Sequence, residues 1–314
     1  MSLPGVRFRS HQPLTFRDDL IESAESWIGA YSRVEIETGN QIDYKLGELA
    51  SGLRSGAVDP VGAAALAREA MGLGPSDFVS DICGLLEKNG IKVLTLPIEY
   101  DGFFGFSMAA GGHGPAMMVN CWKGAPVERW ISTAAHELGH LFLHPDSYDV
   151  NVLDEDEEQA REANVFATHF LMPDALFDAQ WEAARGSALV DRVFKVKRDF
   201  GVSWKTVVFR VASRSHDKSV WTQMNAAYKR RTQLSLRGTD EPEPLRRAAF
   251  GPHAPAATIA SDDSEYLASA DFLGGRLLAL VRTSIEAGEL SLERASVLLG
   301  VDLETLRKLQ GKVN

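Results

Sequence analysis

The sequence predicts an α+β protein in which a small sheet lies beside one long, apolar helix. Residues 91–96 alternate and are rich in β-branched side chains, as strands are, and residues 103–108 and 116–120 are two further short strands. Residues 127–144 are apolar on nearly every side, which indicates a helix buried in a core. From residue 157 onwards the pattern is mostly helical, interrupted by turns that glycine, proline and serine mark.

Composition indicates a soluble globular protein. The 314 residues are 45% hydrophobic and 24% charged, and this length favours two or three packed units. No apolar run reaches the roughly 18 to 20 residues that cross a bilayer, and the N-terminus lacks the features of a secretory signal. Cys83 and Cys121 lie in apolar segments, which favours two buried thiols over a disulfide. Together these features predict a cytoplasmic protein without a membrane partner.

Charge gives little support to nucleic-acid binding. The net charge of −10 provides no general attraction to phosphates. Basic residues cluster only locally, at residues 195–198 and 229–231, with Lys205, Arg210 and Arg214 between them. Solvated helix faces are the simpler interpretation of these clusters, and a binding patch is the alternative.

Pattern and composition divide the chain into five regions. The second contains the predicted sheet and the apolar helix, and the third contains a helix-turn-helix-like unit at residues 193–211. The fourth is rich in proline, glycine, alanine and charge, as linkers are. The predicted regions are an N-terminal helical extension (1–56), a domain that contains the sheet and the apolar helix (57–174), a helical region (175–235), a linker (236–264) and a C-terminal helical region (265–314).

Capping signals mark several helix ends. Asp59 followed by Pro60 predicts the start of a helix that runs to residue 71. A second helix is predicted over residues 77–89, where Asn89-Gly90 is the stop signal. Near the C-terminus, Ser291 is a predicted N-cap.

The apolar helix carries the motif His136-Glu137-Leu138-Gly139-His140. The spacing places two imidazoles one turn apart on one helix face, and zinc favours such ligands in a tetrahedral shell. Glu137 then lies beside the metal, where it can take a proton from a water and return it to a leaving amine. Histidines on so apolar a helix need partners, which a metal supplies. The motif therefore predicts a zinc site with His136 and His140 as ligands and Glu137 as the catalytic base.

Together with the helix that follows, the motif resembles the ImmA/IrrE-like metallopeptidases. Members of this family pair His-Glu-Leu-Gly-His with a helix of the type Glu-Ala-Asn-x-Phe-Ala and a Leu-Met-Pro sequence, which occur here at residues 162–167 and 171–173. The resemblance covers residues 59–173 well and extends more loosely to residue 213. It implies a zincin-like domain whose third ligand is a carboxylate from the second helix.

Glu162 is the first candidate for this third ligand because it lies in the motif. Many relatives also have an acid four residues before the asparagine, and Ala160 occupies that position here. Positions 160 and 162 differ by about 200° around a helix. If the ligand of the family is the acid four residues before the asparagine, Glu157 or Glu158 would have to replace it here.

Other residues near the motif receive weaker predictions. His144 follows His140 by one turn, and we expect it to pack or hydrogen-bond near the site, because three ligands on one straight helix cannot surround an ion. His169 either supports the site or is a half-exposed helix residue, and His113 receives no role. Residues 116–120 are either a core strand or an edge strand that pairs with an extended substrate.

The resemblance implies a zinc-dependent endopeptidase that cuts a specific protein, such as a DNA-binding repressor or an antitoxin-like regulator. A non-catalytic metal-binding sensor is one alternative, for which the missing acid at Ala160 argues and the intact Glu137 does not. A DNA-binding regulator that uses helix-turn-helix-like units is another, although the second such unit, at residues 290–304, is acidic where a recognition helix should be basic.

Overall fold

A computed structural model describes most of the chain, namely residues 6–10, 16–53, 58–96, 98–100, 102–122, 126–148, 156–237, 241–245 and 275–311. Within these residues the strands are β1 (Val6–Ser10), β2 (Lys92–Leu96), β3 (Phe103–Gly111) and β4 (Gly114–Asn120). The helices are α1 (Arg17–Glu37), α2 (Leu46–Leu53), α3 (Pro60–Ala70), α4 (Ile82–Lys88), α5 (Val127–Leu143), α6 (Glu157–Leu171), α7 (Asp174–Ala183), α8 (Leu189–Phe200), α9 (Trp204–Ser215), α10 (Ser219–Thr232), α11 (Arg276–Glu286), α12 (Leu292–Leu299) and α13 (Leu303–Gly311).

The four strands form one sheet in the order β1-β3-β4-β2. β3 is antiparallel to both of its neighbours, and β2 is parallel to β4. The interpretation of residues 116–120 as an edge strand is therefore wrong, because β4 is paired on both sides. The physical reason is that β4 is apolar on both faces: Met117 and Val119 belong to the main core, and Ala116 and Met118 belong to a second core on the other face.

Helices cover both faces of the sheet. α1 covers one face, where Leu20, Ala24 and Ile28 pack with Phe106 and Met108. α5 packs against the other face and against α6, and their apolar residues form the main core. The α+β architecture with a small sheet beside the apolar helix is confirmed.

The C-terminal helices pack on the outer side of α1. Tyr31 and Val34 of α1 form a third apolar cluster with residues of α11, α12 and α13. Polar contacts reinforce this junction: the guanidinium of Arg276 binds Glu35, and Lys92 lies 3.0 Å from the same carboxylate group. α1 therefore connects the sheet to the C-terminal helices.

The capping signals were accurate, but one helix is shorter than predicted. Asp59 accepts a hydrogen bond from the Gly62 amide at 2.7 Å, and Ser291 accepts one from the Arg294 amide at 3.3 Å. The helix predicted from residue 77 begins only at Ile82. The buried Arg68 explains the difference, because its guanidinium binds the carbonyl oxygens of residues 74 and 77 and holds that segment as a loop.

Packing joins regions that the sequence separates. The main core contains residues from Leu46 to Leu245 and so crosses the boundaries predicted at residues 56 and 174. Most of the predicted linker, residues 246–264, lies outside the described residues. The division into five regions stays a prediction. Among the described helices, none has the length and apolar character that crossing a membrane requires.

A buried ionic group ties α5 to α8 and to the segment after α10. Lys197 Nζ lies 2.5 Å from carboxylate oxygens of both Glu128 and Glu241, and none of the three side chains is more than 3% exposed. The Leu245 amide also donates to Glu128 at 2.8 Å. One buried ammonium thus serves two carboxylates.

We expect this group to make the protein less stable as pH rises. Burial, opposed by Lys197, raises the pKa of Glu241 to about 7. The folded state therefore binds the Glu241 proton more tightly than the unfolded chain does. The stabilisation that results is fully present below about pH 4.5 and is lost as pH rises through 7. Over that range the free energy of unfolding of the wild type should fall by roughly 3 kcal/mol relative to Glu241→Gln, measured by urea denaturation. Glu243→Gln is the control, since the Glu243 side chain is 42% exposed; parallel pH curves for wild type and Glu241→Gln would contradict the prediction.

Candidate active site

α5 carries both histidines of the motif, and the apolar residues on its other faces are buried in the main core. The helix begins after Pro126 and ends at His144, next to Pro145. His136 and His140 lie one turn apart and are each 1% exposed. α6 crosses α5 closely at Gly139: a Cβ atom there would lie 3.1 Å from the Phe166 ring and 3.2 Å from the Ala163 Cα atom.

This close approach makes Gly139 a test of how the two helices hold the site. In Gly139→Ala the new methyl group should push α6 away from α5 and lower the free energy of unfolding by about 1–3 kcal/mol, despite alanine's better helix propensity. Gly29→Ala in α1 is the matched control, because the nearest atom to its Cβ would be 3.9 Å away. The control should be neutral or stabilised by up to about 1 kcal/mol. Urea denaturation of both variants checks the prediction, and equal behaviour would contradict it.

The hydrogen bonds around the histidines determine which ring nitrogens carry protons. Glu162 Oε2 lies 2.8 Å from His144 Nε2, and an ionised carboxylate only accepts, so this nitrogen carries a proton. Burial lowers the pKa of His144, although the Glu162 bond opposes it, so the ring is neutral and its Nδ1 accepts. His140 Nδ1, 3.0 Å away, is then the donor, and His136 Nδ1 donates to Asn164 Oδ1 at 3.0 Å. The Nε2 atoms of His136 and His140 therefore both present lone pairs.

These two Nε2 atoms lie 2.9 Å apart. Two lone pairs that face each other at this distance repel unless a proton or a metal cation lies between them. Zinc takes imidazole nitrogens at about 2.0–2.1 Å in a tetrahedral shell, which places two of its ligands about 3.3–3.4 Å apart, a few tenths of an ångström more than the spacing of this pair. The other ring nitrogen of each histidine is held by a hydrogen bond, as in metal-binding histidines generally. The pair His136 and His140 therefore fits a zinc ion.

Glu137 lies on the side of α5 that faces the sheet, where its carboxylate is hydrogen-bonded. Ser107 Oγ donates to Glu137 Oε2 at 2.6 Å, and Tyr148 Oη lies 2.9 Å from Ser107 Oγ. Since Ser107 has given its one proton to the carboxylate, Tyr148 donates in the second contact. Burial raises the pKa of Tyr148 and keeps its hydroxyl protonated. Alternation along β3 places Ser107 toward α5, while Phe106 and Met108 face α1.

The candidate third ligands are not gathered around the two histidines. The Glu162 carboxylate contacts His144, and its side chain is 43% exposed. Glu157 and Glu158 lie exposed in the first turn of α6, where Asp156 caps the helix. Over the described ranges no three His, Cys, Asp or Glu side chains are close enough together to hold a metal ion. Glu162 is thus linked to His140 through His144, and its role as a ligand stays a prediction.

Comparison with known families decides the relationship. The model of the M78 peptidase family, described as the IrrE N-terminal-like domain, matches residues 86–212. This segment carries an IrrE N-terminal-like domain. The predicted relationship to the ImmA/IrrE-like family is confirmed, and it supports a metallopeptidase-type function. Comparison with curated proteins gives no match.

Several residues around the candidate site were not predicted from the sequence. Ser107 contacts Glu137, Tyr148 contacts Ser107, and Asn164 of the Glu-Ala-Asn motif contacts His136. The motif position of Asn164 could have suggested a role, but Ser107 and Tyr148 carry no sequence signal. His144 hydrogen-bonds at the site as expected. His169 instead contacts Asp174 and Arg210.

Several basic residues of α8, α9 and α10 are engaged in ion pairs. These helices include the helix-turn-helix-like unit, in which α8 and α9 are joined by a short turn at Gly201 with a left-handed φ of 66°. Arg210 is buried and binds Asp174, and Arg214 binds Asp178. These pairs favour a structural role over a nucleic-acid patch; the pairs of the two predicted clusters are Lys195–Asp199, Lys197–Glu128, Lys197–Glu241, Arg198–Glu243 and Arg231–Asp191.

A cavity of about 280 Å³ lies between α5, α6 and the start of α9. Asn164, which holds His136, is part of its wall, together with Arg129 and Lys205. His136, Glu137 and His140 are not among the lining residues, so Asn164 is the link between the cavity and the histidine pair. The cavity is large enough for a side chain.

Proposed function

We propose that the protein is a zinc-dependent endopeptidase that hydrolyses a peptide bond in a specific protein. The observation that carries the proposal is the pair of lone-pair nitrogens, 2.9 Å apart and buried beside Glu137. A structural metal site has no use for a general base beside the ion, whereas a peptidase needs one.

His136 and His140 would hold the zinc ion, and Glu162 is proposed as the third ligand. For this, its carboxylate has to leave His144 Nε2, which is feasible because the side chain is partly exposed. A zinc ion bound there supplies Lewis acidity at the scissile carbonyl. Asn164 and His144 orient the two imidazoles through their Nδ1 atoms.

Glu137 would move the protons of the reaction. Its carboxylate takes a proton from the attacking water and returns it to the leaving amine. Ser107 holds Glu137 Oε2 in a fixed position, and Tyr148 holds Ser107. The cavity beside Asn164 would take a side chain of the substrate and so contribute to specificity.

The proposed substrate is a DNA-binding repressor or an antitoxin-like regulator, so that cleavage would change transcription. The family resemblance supports this substrate class. The α8–α9 unit would then be a docking surface for the substrate.

Metal content of variants tests the site. We expect about one zinc ion per chain in the wild type and none in His140→Ala, measured by elemental analysis after dialysis. Glu162→Ala should also lose the metal if this residue is a ligand. Glu162→Gln separates two roles, because the amide oxygen can still accept from His144 but is a poor zinc ligand. Loss of zinc in Glu162→Gln supports direct binding, and retention means that Glu162 acts through His144. A wild type that takes up no zinc would contradict the proposal.

A further inference from the structure

The N-terminal strand β1 completes a sheet that the IrrE-like domain leaves open. Strands β2, β3 and β4 all lie within the matched residues 86–212, whereas β1 comes from residues 6–10. β1 pairs antiparallel with β3, which is otherwise the edge of the sheet. The edge next to the candidate active site is thus occupied by another part of the same chain.

The pairing register places β1 over the catalytic contact. Arg7 is opposite Ser107, and Ser107 donates to Glu137. Directly opposed residues of antiparallel strands point to the same face of the sheet, so Arg7 lies on the side that faces α5. β1 therefore runs where an extended peptide paired with β3 would have to lie to reach Glu137.

Arg7 anchors β1 to α6. Its side chain is 8% exposed although it is charged, and it hydrogen-bonds Gln159 in the first turns of α6. Gln159 in turn donates to Ser147 Oγ at 3.2 Å. The strand is thus held by backbone pairing on one side and by α6 on the other, as a bound peptide would be.

We propose that β1 occupies the strand edge on which the substrate pairs, so that the chain's own N-terminal strand keeps the peptidase closed until it is displaced. The effect of β1 on peptide hydrolysis rests on the proposed function, whereas the displacement of β1 by a peptide, here called strand exchange, does not need catalysis. Strand addition is a general mode of peptide recognition, in which main-chain hydrogen bonds supply the affinity. A tethered strand competes at an effective concentration in the millimolar range, and a substrate must overcome this.

A reversible disulfide tests the strand exchange in the full chain. Val6 is opposite Met108, and opposed Cα atoms in antiparallel strands are about 4.5–5.5 Å apart, within the range that disulfides bridge. Val6→Cys/Met108→Cys would lock β1 when oxidised and release it when reduced. Met108→Cys alone is the matched control, and the native Cys83 and Cys121 are both buried. The probe is a labelled peptide of residues 5–11, Gly-Val-Arg-Phe-Arg-Ser-His, and its binding is followed by fluorescence anisotropy in a Glu137→Gln background.

The reduced double variant should bind the probe at least about tenfold more tightly than the oxidised one, and the control should not change with reduction. Arg7→Ala in the otherwise full chain should bind it about tenfold more tightly than the parent, because the anchor to α6 is lost, whereas the exposed Arg33→Ala should not. Equal binding by the locked and unlocked forms, or no binding by any form, would overturn the inference.

Hydrolysis of an unstructured peptide by the same variants with Glu137 restored separates the two proposals. Redox-dependent binding of the probe without hydrolysis in any form would support the strand exchange and contradict the peptidase. Hydrolysis at equal rates in the locked and unlocked forms would support the peptidase and overturn the role of β1.

Discussion

Glu137→Gln is expected to lower kcat/KM for peptide hydrolysis by about 10²–10⁴, with little loss of bound zinc. Glutamine has the same shape and can still accept the hydrogen bond from Ser107, so the helix and the histidines should stay in place. It cannot take a proton from the attacking water. The measurement is hydrolysis of a labelled peptide by the zinc-loaded protein, together with elemental analysis of the same samples.

Glu48→Gln is the control for this experiment. It removes one negative charge at an exposed position of α2, a helix that neighbours α5, so it reproduces the change in net charge without touching the site. Its activity should equal that of the wild type. A Glu137→Gln variant that keeps both its zinc and more than about a tenth of its activity would show that another group moves the proton.

The parts of the fold that sequence predicts well are those that local patterns specify. Asp59 and Ser291 cap helices as expected, and the apolar residues of α5 bury it between α6 and the sheet. The pairing of β1 with β3 was not predicted, because its partners lie about a hundred residues apart in sequence. A five-residue strand contains no local pattern that indicates which edge of the sheet it will join.

The site shows the same division between local and long-range information. His136, Glu137 and His140 could be found because helical spacing alone brings them together. Ser107 and Tyr148 could not, since only the packing of β3 against α5 brings Ser107 to Glu137, and Tyr148 contacts Ser107 rather than the motif. The contact of Glu162 with His144 depends on how α6 crosses α5, which a search for acids near the motif does not reveal.

Lys197→Met should produce the largest loss of stability, about 3–5 kcal/mol, because it removes the one ammonium that two buried carboxylates share. Methionine fills a similar volume, so the loss reports the charge and not a cavity. The effect should be greater at pH 8 than at pH 6, since burial raises the pKa of Glu241 to about 7 and the lower pH lets this carboxyl bind a proton.

Lys195→Met on the same helix is the matched control for this effect. Lys195 is 44% exposed and pairs only one turn away, with Asp199, so its replacement should cost no more than about 0.5 kcal/mol. Both variants are compared with the wild type by urea denaturation at the two pH values. Equal losses of stability for Lys197→Met and Lys195→Met would contradict the conclusion that Lys197 neutralises two buried carboxylates. A loss for Lys197→Met that does not grow with pH would contradict it as well. Because Glu128 lies on α5, a loss confined to Lys197→Met would measure the contacts that join α5 to α8 and to the segment after α10.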